Sequence, residues 1–256
     1  MPDIRIADEI QIDAESCRNL VGGGLPPSFS ATETKGSGAS PLLPEVRHQP
    51  NRLTPSPQQI ELSSRIALLR HGETAGGACF RGSTDDPLTP LGWRQMAAAV
   101  EGETWTRIVA SPLKRCAEFA HELAARLAIP LELDERLREM HFGAWEGRTA
   151  AELMESDGEA LARFWRDPAA CSPPGAERLH DFQARVLDAW RDLRQSADGG
   201  RVLLVAHGGT IRTIVCDVLG HPPERLLELE LEIGHGALRW VRLGGDGAGA
   251  LLAEEG

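Results

Sequence analysis

The feature that most constrains this chain is a pair of short apolar runs that each end in His-Gly. Ile66-Ala-Leu-Leu leads into Arg70-His71-Gly72-Glu73-Thr74, and Val202-Leu-Leu-Val-Ala leads into His207-Gly208-Gly209-Thr210. Apolar runs of this length read as strands buried on both faces, and functional groups collect where such strands end. A third run, Ile108-Val-Ala, passes through Ser111-Pro-Leu-Lys to Arg115. Before the last run lies Leu137-Arg-Glu139-Met-His-Phe-Gly-Ala-Trp-Glu-Gly147, which adds a carboxylate. Two arginines, two histidines and an acid are the side chains that can move a phosphoryl group through a phosphohistidine.

Each residue has a distinct part in that chemistry. A neutral imidazole at His71 is a competent nucleophile if one ring nitrogen is fixed as a donor and the other faces the substrate. Arg70 and Arg115 offer planar forks of donors for the non-bridging phosphoryl oxygens. Helix starts near Pro112 and Thr210 would turn positive dipole ends toward the same anion. His207 is the second donor to the charge that grows in transfer. Glu139 is the candidate general acid and needs a raised pKa; Glu73 and Glu146 are its rivals on sequence alone. A lone histidine is more often structural. That reading weakens at His71, which Arg70 and Gly72 flank and a second strand-His-Gly repeats.

From Arg65 onward strands alternate with helices. Thr89-Pro90 starts a helix over about 90–101, with Trp93, Met96, Ala97 and Val100 on one face. Ser111-Pro112 repeats that capping pattern for a helix over 112–127, expected to bury Cys116, Phe119, Leu123 and Leu127. A short strand at 131–133 follows Pro130. Residues 148–198 read as mainly helical, with Leu153, Leu161, Phe164 and Trp165 first, and Phe182, Val186, Trp190 and Leu193 on a long amphipathic segment. The last strands fall at about 202–206, 228–233 and 237–243, with a helix over 210–219 that Gly220 stops. This pattern predicts a three-layer α/β/α sandwich with a mostly parallel central sheet and a small helical cap from 140–180.

Residues 1–62 differ in kind. Gly22-Gly-Gly-Leu-Pro-Pro, Gly36-Ser-Gly-Ala-Ser-Pro and Arg52-Leu-Thr-Pro-Ser-Pro carry no sustained periodicity, so this stretch is expected to be a disordered extension. The domain is expected over 63–245, with a flexible Gly/Ala-rich tail at 246–256. A formal charge of -11 argues against a nucleic-acid surface. There is no run of 18 apolar residues and no apolar signal core, so no membrane span and a cytoplasmic location are expected. The 5 cysteines, without a Cys-x-x-Cys pair, read as ordinary thiols in a reducing compartment.

These motifs together resemble the signature of the histidine phosphatase superfamily, which has the phosphoglycerate mutase-like fold. The resemblance runs in order through Leu69-Arg70-His71-Gly72-Glu73-Thr74, Asp86-Pro-Leu-Thr-Pro-Leu-Gly-Trp-Arg-Gln95, Ser111-Pro-Leu-Lys-Arg115-Cys, Leu137-Arg-Glu139 and Ala206-His207-Gly208, covering roughly 65–243. It implies a phosphohistidine on His71, clamping by Arg70 and Arg115, a second pocket histidine at His207 and an acid at Glu139. It also implies no metal and no cofactor, with a small-molecule phosphomonoester as substrate. Arg81, Gly208 and Trp145 are the further substrate-binding positions. Within the family, Phe80-Arg-Gly-Ser-Thr-Asp-Asp-Pro-Leu, Arg138-Glu-Met-His-Phe-Gly-Ala-Trp-Glu-Gly-Arg148, Phe164-Trp-Arg-Asp-Pro168, Pro173-Pro-Gly-Ala-Glu177 and Phe182-Gln-Ala-Arg-Val186 resemble the α-ribazole phosphatases of cobalamin nucleotide-loop assembly. Phe142, Trp145, Phe164 and Trp165 are the aromatic surface expected for a flat base. Gly77 departs from relatives that carry a phosphate-contacting asparagine there.

Three other readings stand beside this one: a broad sugar or nucleotide phosphatase, a phosphoglycerate mutase, and a non-catalytic phosphate binder. The compact 140–180 region favours hydrolysis over mutase chemistry. Nothing in the sequence sets the oligomeric state, and a homodimer is compatible with it. Because residues 1–62 have no periodic apolar face to dock, their deletion should leave activity and melting temperature nearly unchanged. A large loss of folded protein on truncation, or strong amide-exchange protection across 1–62, would contradict this.

Overall fold

The computed structural model describes residues 64–197, 199–222, 226, 227, 229, 231–244 and 249–251. The extension expected over 1–62 lies outside the described residues. Four parallel strands form the centre: β1 (Arg65–Arg70), β2 (Arg107–Ala110), β3 (Leu131–Leu133) and β4 (Arg201–Ala206). Two antiparallel strands, β5 (Leu238–Leu243) and β6 (Gly249–Leu251), extend one side, giving the order β3-β2-β4-β1-β5-β6.

The apolar runs divide their side chains by strand parity. Ile66, Leu68, Val202, Leu204 and Ala206 join one core cluster, while Ala67, Leu69, Leu203 and Val205 join the other. The second face is covered by α1 (Pro90–Ala99) and α2 (Lys114–Leu127), through Met96, Cys116, Phe119, Ala120 and Leu123. The first is covered by α3 (Ala150–Arg166), α4 (Leu179–Gln195) and α5 (Gly208–Leu219), through Leu153, Phe182, Val186, Trp190, Ile211 and Ile214. The molecule is therefore a three-layer α/β/α sandwich with a mostly parallel sheet. The crossover from β1 goes over one face to β2, and the chain leaves β4 over the other face. The carboxyl ends of β1 and β4 thus form the switch point where ligands bind in such sheets.

Local chemistry sets the helix ends. Thr89 caps α1 by accepting from the Gly92 N–H, with Pro90 in the first turn. Thr149 and Glu152 form a capping box on α3, which kinks at Asp157. Gly220, at φ 64°, ends α5 in the left-handed conformation. The start of α2 differs from expectation. Leu113 is its N-cap without a side-chain bond, and the Lys114 N–H donates 2.7 Å to Asp85 Oδ1. Ser111 Oγ accepts only a long 3.4 Å bond from the Leu113 N–H, and this helix end meets a protein carboxylate. Two expected core positions, Ala97 and Leu127, are exposed.

Two further expectations are corrected. The alternating Leu-Glu pattern at 228–233 predicts a strand, yet Leu229 and Leu231–Ile233 lie in irregular backbone. Arginine side chains take the carbonyls that a ladder would use: Arg212 donates to Leu229 O at 2.7 Å and Leu231 O at 2.9 Å, and Arg70 to Ile233 O at 2.6 Å. Within the tail expected to be flexible, Gly249–Leu251 pairs with β5 as β6.

The exit of β1 and the first turn of α1 pack backbone against backbone at Gly72 and Gly92. A Cβ on Gly72 would collide with the Gly92 backbone, and one on Gly92 with the carbonyl of Glu73. No rotamer can relieve such an overlap, so Gly72→Ala should cost about 2–3 kcal/mol, or roughly 5–10 °C in melting temperature. An unchanged melt would show that the two segments are not in the contact described.

Candidate active site

Strand register brings the two His-Gly turns together. Arg70 and Ala206 are partners in the β1–β4 ladder, so His71 and His207 leave neighbouring strands side by side. Their ring centroids are 5.3 Å apart, edge to face. The His71 N–H bonds Ala206 O at 3.0 Å, and ring Nδ1 lies 2.8 Å from Gly72 O. A carbonyl only accepts, so Nδ1 carries the proton and Nε2 keeps the lone pair. Burial first, then the Arg115 and Arg70 charges, hold the pKa of His71 well below the usual histidine range. The imidazole is therefore neutral.

Arg115 and His207 are paired beneath the pocket, and neither lines it. Both are wholly buried. Arg115 Nε donates to His207 Nδ1 at 3.1 Å, and His207 Nε2 sits 2.7 Å from Ser111 Oγ. The remaining guanidinium donors reach Thr84 O at 2.7 Å and Gly82 O at 2.9 Å. Both nitrogens of His207 therefore have protein partners. Burial, then Arg115, keeps this ring neutral too. Cys116 touches the same histidine, but burial pushes its thiol up to about 12, which leaves it unreactive.

The three candidate acids separate cleanly by environment. Glu139 is half-buried in the pocket wall, where its oxygens accept from the Met140 N–H and the Gly209 N–H, both at 2.9 Å. Burial raises its pKa against the lowering effect of those two bonds. The carboxylate thus occupies the N-terminal turn of α5, and a Cβ at 209 would strike it. Glu146 instead accepts from the N–H groups of Gly82, Ser83, Thr84 and Phe142 and from the Thr84 hydroxyl. Burial would raise it, but these donors outweigh burial and bring its pKa to about 2. It is a fastener for the 82–84 loop. Glu73 accepts from the Thr89 hydroxyl at the head of α1.

Arg185 on α4 supports the acid. It donates to the carbonyls of Arg136, Arg138 and Glu139 at 2.7–3.1 Å and is itself paired with Glu177 at 2.7 Å. This gives a physical reason for the Pro-Pro-Gly-Ala-Glu177 and Arg185 motifs, whose role the sequence left open.

The pocket encloses about 750 Å³, counting its open mouth. Arg70, His71, Arg81, Glu139, Gly208 and Gly209 bring polar groups to it, and Phe80, Phe142, Phe164 and Phe182 form an aromatic wall. Arg81 lines it, ion-paired with Asp86 at 2.7 Å. Trp145 does not: it is 2% exposed and packs edge-on against Phe80 and Phe164 in the core. Its size and apolar character fit the floor beneath the wall better than the wall itself. Trp165 is also absent from the lining. Sequence reasoning missed His235, which lines the pocket with its ring 5.6 Å from that of His71. The signal was a third His-Gly, placed before a strand; because β5 runs antiparallel, its start lies at the edge where β1 ends. Among the described residues no group of three or more His, Cys, Asp or Glu is arranged to hold a metal ion, and no helix is long and apolar enough to cross a membrane.

The chain belongs to the histidine phosphatase superfamily, branch 1, which it matches over residues 66–254. It is accordingly a phosphatase of the class that hydrolyses phosphate monoesters. A glucosyl-3-phosphoglycerate phosphatase of Mycolicibacterium vanbaalenii is 37% identical over 194 residues, spanning 71% of this chain and 84% of that protein. The adenosylcobalamin/alpha-ribazole phosphatase of Escherichia coli is 26% identical over 175 residues, 66% of this chain and 86% of that one. Among solved structures, YhfR of Bacillus stearothermophilus superposes with a TM-score of 0.67 at 30% identity, covering 75% of this chain and 96% of that one.

The Glu146 network predicts a pH signature. Its folded pKa of about 2 lies below the ordinary 4.5, so its contribution is full above about pH 4.5 and is lost as pH falls toward 2. The shift corresponds to about 3 kcal/mol. Glu146→Gln should therefore lose roughly 2–3 kcal/mol at pH 7, with the gap to the parent narrowing below about pH 4.5. Denaturant titrations across that range test this, and a gap independent of pH would refute it.

Proposed function

We propose that the chain is a metal-independent phosphomonoesterase that works through a phosphohistidine on His71. Its proposed substrate is α-ribazole 5'-phosphate, or the corresponding adenosylcobalamin 5'-phosphate. The observation that carries the mechanism is the convergence of Arg70, a neutral His71 with Nδ1 fixed, and a raised-pKa Glu139 on one pocket. Nε2 of His71 attacks phosphorus while the bond to the ester oxygen breaks, and Glu139 gives its proton to that oxygen. Water then attacks the phosphohistidine, Glu139 takes the water proton, and the N–P bond breaks to release phosphate. Arg70 compensates charge from the rim. Arg115, held on the Gly82 and Thr84 carbonyls, adds positive charge behind the phosphoryl site, and His207 holds the Arg115 guanidinium in place there.

The aromatic wall supports the α-ribazole reading, since Phe80, Phe142, Phe164 and Phe182 offer rings to a flat base. Arg81, the remaining arginine of the lining, is already neutralised by Asp86, which disfavours a second anionic group beside the substrate's phosphate. A competing substrate, glucosyl-3-phosphoglycerate, is favoured by the 37% identity to a phosphatase of that name. Broad activity on sugar or nucleotide phosphates is the remaining alternative, because pocket walls rather than the clamp set specificity.

A panel of α-ribazole 5'-phosphate, glucosyl-3-phosphoglycerate, 3-phosphoglycerate and nucleoside monophosphates, assayed with chelator, separates these. At least tenfold higher kcat/KM for the ribazole ester, about 1.4 kcal/mol, is expected. Preference for glucosyl-3-phosphoglycerate or equal rates would replace that substrate, and chelator sensitivity would remove the metal-free step. Glu139→Gln should cost far more with these alkyl esters than with an aryl phosphate, whose leaving oxygen needs little protonation. Equal losses would deny Glu139 its role as acid.

A further inference from the structure

We propose that His235 is a substrate-contacting residue, donating a hydrogen bond to a phosphoryl oxygen held at His71. The inference rests on the reading of His71 as the nucleophile and adds a donor that the family resemblance did not supply.

Three observations carry it. The ring lines the pocket with its centroid 5.6 Å from that of His71 and the planes inclined at 41°. At that spacing an oxygen of a phosphoryl group carried on His71 Nε2 comes within hydrogen-bond reach of the His235 ring. Among the described residues, neither nitrogen of His235 has a hydrogen-bond partner, although the ring is half-buried. A polar group so placed is completed by water or by a ligand. His207, by contrast, has both nitrogens engaged by Arg115 and Ser111.

The turn that carries His235 is built onto the nucleophile's own backbone. The Gly236 N–H donates to His71 O at 3.3 Å, the Arg70 N–H to Ala237 O at 3.0 Å, and the Ala237 N–H closes on Gly234 O at 3.0 Å. Gly236 has φ +74° and lies against Gln95 of α1, where a Cβ would be crowded at 2.9 Å. The two imidazoles are thereby fixed relative to each other. Burial, then the charges of Arg70 and Arg81, bring the His235 pKa to about 4, so the ring is neutral at pH 7. A neutral N–H can stand beside two guanidiniums without like-charge repulsion, and its bond to a phosphoryl oxygen strengthens as charge develops there.

The test compares His235→Ala, His235→Phe and His235→Gln in the full chain. Its readouts are kcat/KM on an aryl phosphate, inhibition by inorganic phosphate, melting temperature, and acid-labile label at position 71. The Ala and Phe variants should lose about tenfold or more in kcat/KM and bind inorganic phosphate several-fold more weakly, with melts near the parent. Gln, which keeps an N–H donor, should recover most of both. Should Ala destabilise the chain, Phe and Gln decide, since both fill the site. Parent-like phosphate inhibition in His235→Phe, or Gln no better than Phe, overturns the proposal. Failure of the underlying reading looks different: label would persist in His71→Ala.

Discussion

A guanidinium wholly removed from water must place each of its donors inside the protein, and that requirement on Arg115 organises this molecule. Its fork reaches the carbonyls of Gly82 and Thr84, and Nε reaches His207. Those bonds tie the start of α2 to the 81–84 loop and to the end of β4 in one stroke. Breaking such a buried charge from its partners costs several kcal/mol, so the elements around the pocket hold together as a unit. Burial and the same charge help keep His71 and His207 unprotonated.

Two carboxylates seven residues apart are driven to opposite protonation behaviour by what surrounds them. Glu139 has two backbone donors and a buried wall; Glu146 has a cage of N–H groups and a hydroxyl. One is raised and the other falls to about 2. Donor count and burial alone separate a carboxylate that can keep a proton from one held ionised as a structural anchor.

The sandwich, the strands at 65–70, 107–110, 131–133 and 201–206, and the meeting of His71 with His207 were legible because parity of apolar residues and strand-end position determine them directly. What escaped the sequence depended on side chains acting at long range. Arg212 and Arg70 displace a ladder at 229–233, a contest no local pattern reveals. Trp145 looks like pocket surface beside Glu146, yet three-dimensional packing against Phe80 and Phe164 claims it for the core. His235 was hidden by strand direction: a residue before a strand is at the active edge only if that strand runs against its neighbours. Ser111 reads as a helix cap, and its hydroxyl is shared between the Leu113 N–H and the closer His207 ring.

The clip formed by Arg185 has a mechanical consequence. With three main-chain carbonyls on one side and Glu177 on the other, it joins α4 and the 136–139 segment into a single stiff link. Hinging at that joint would strand a guanidinium and three acceptors together, so thermal breathing of the cavity has to run along other joints. The Glu139 backbone is thereby tied to α4, while Leu226 and Leu227 line the pocket from a segment outside that link.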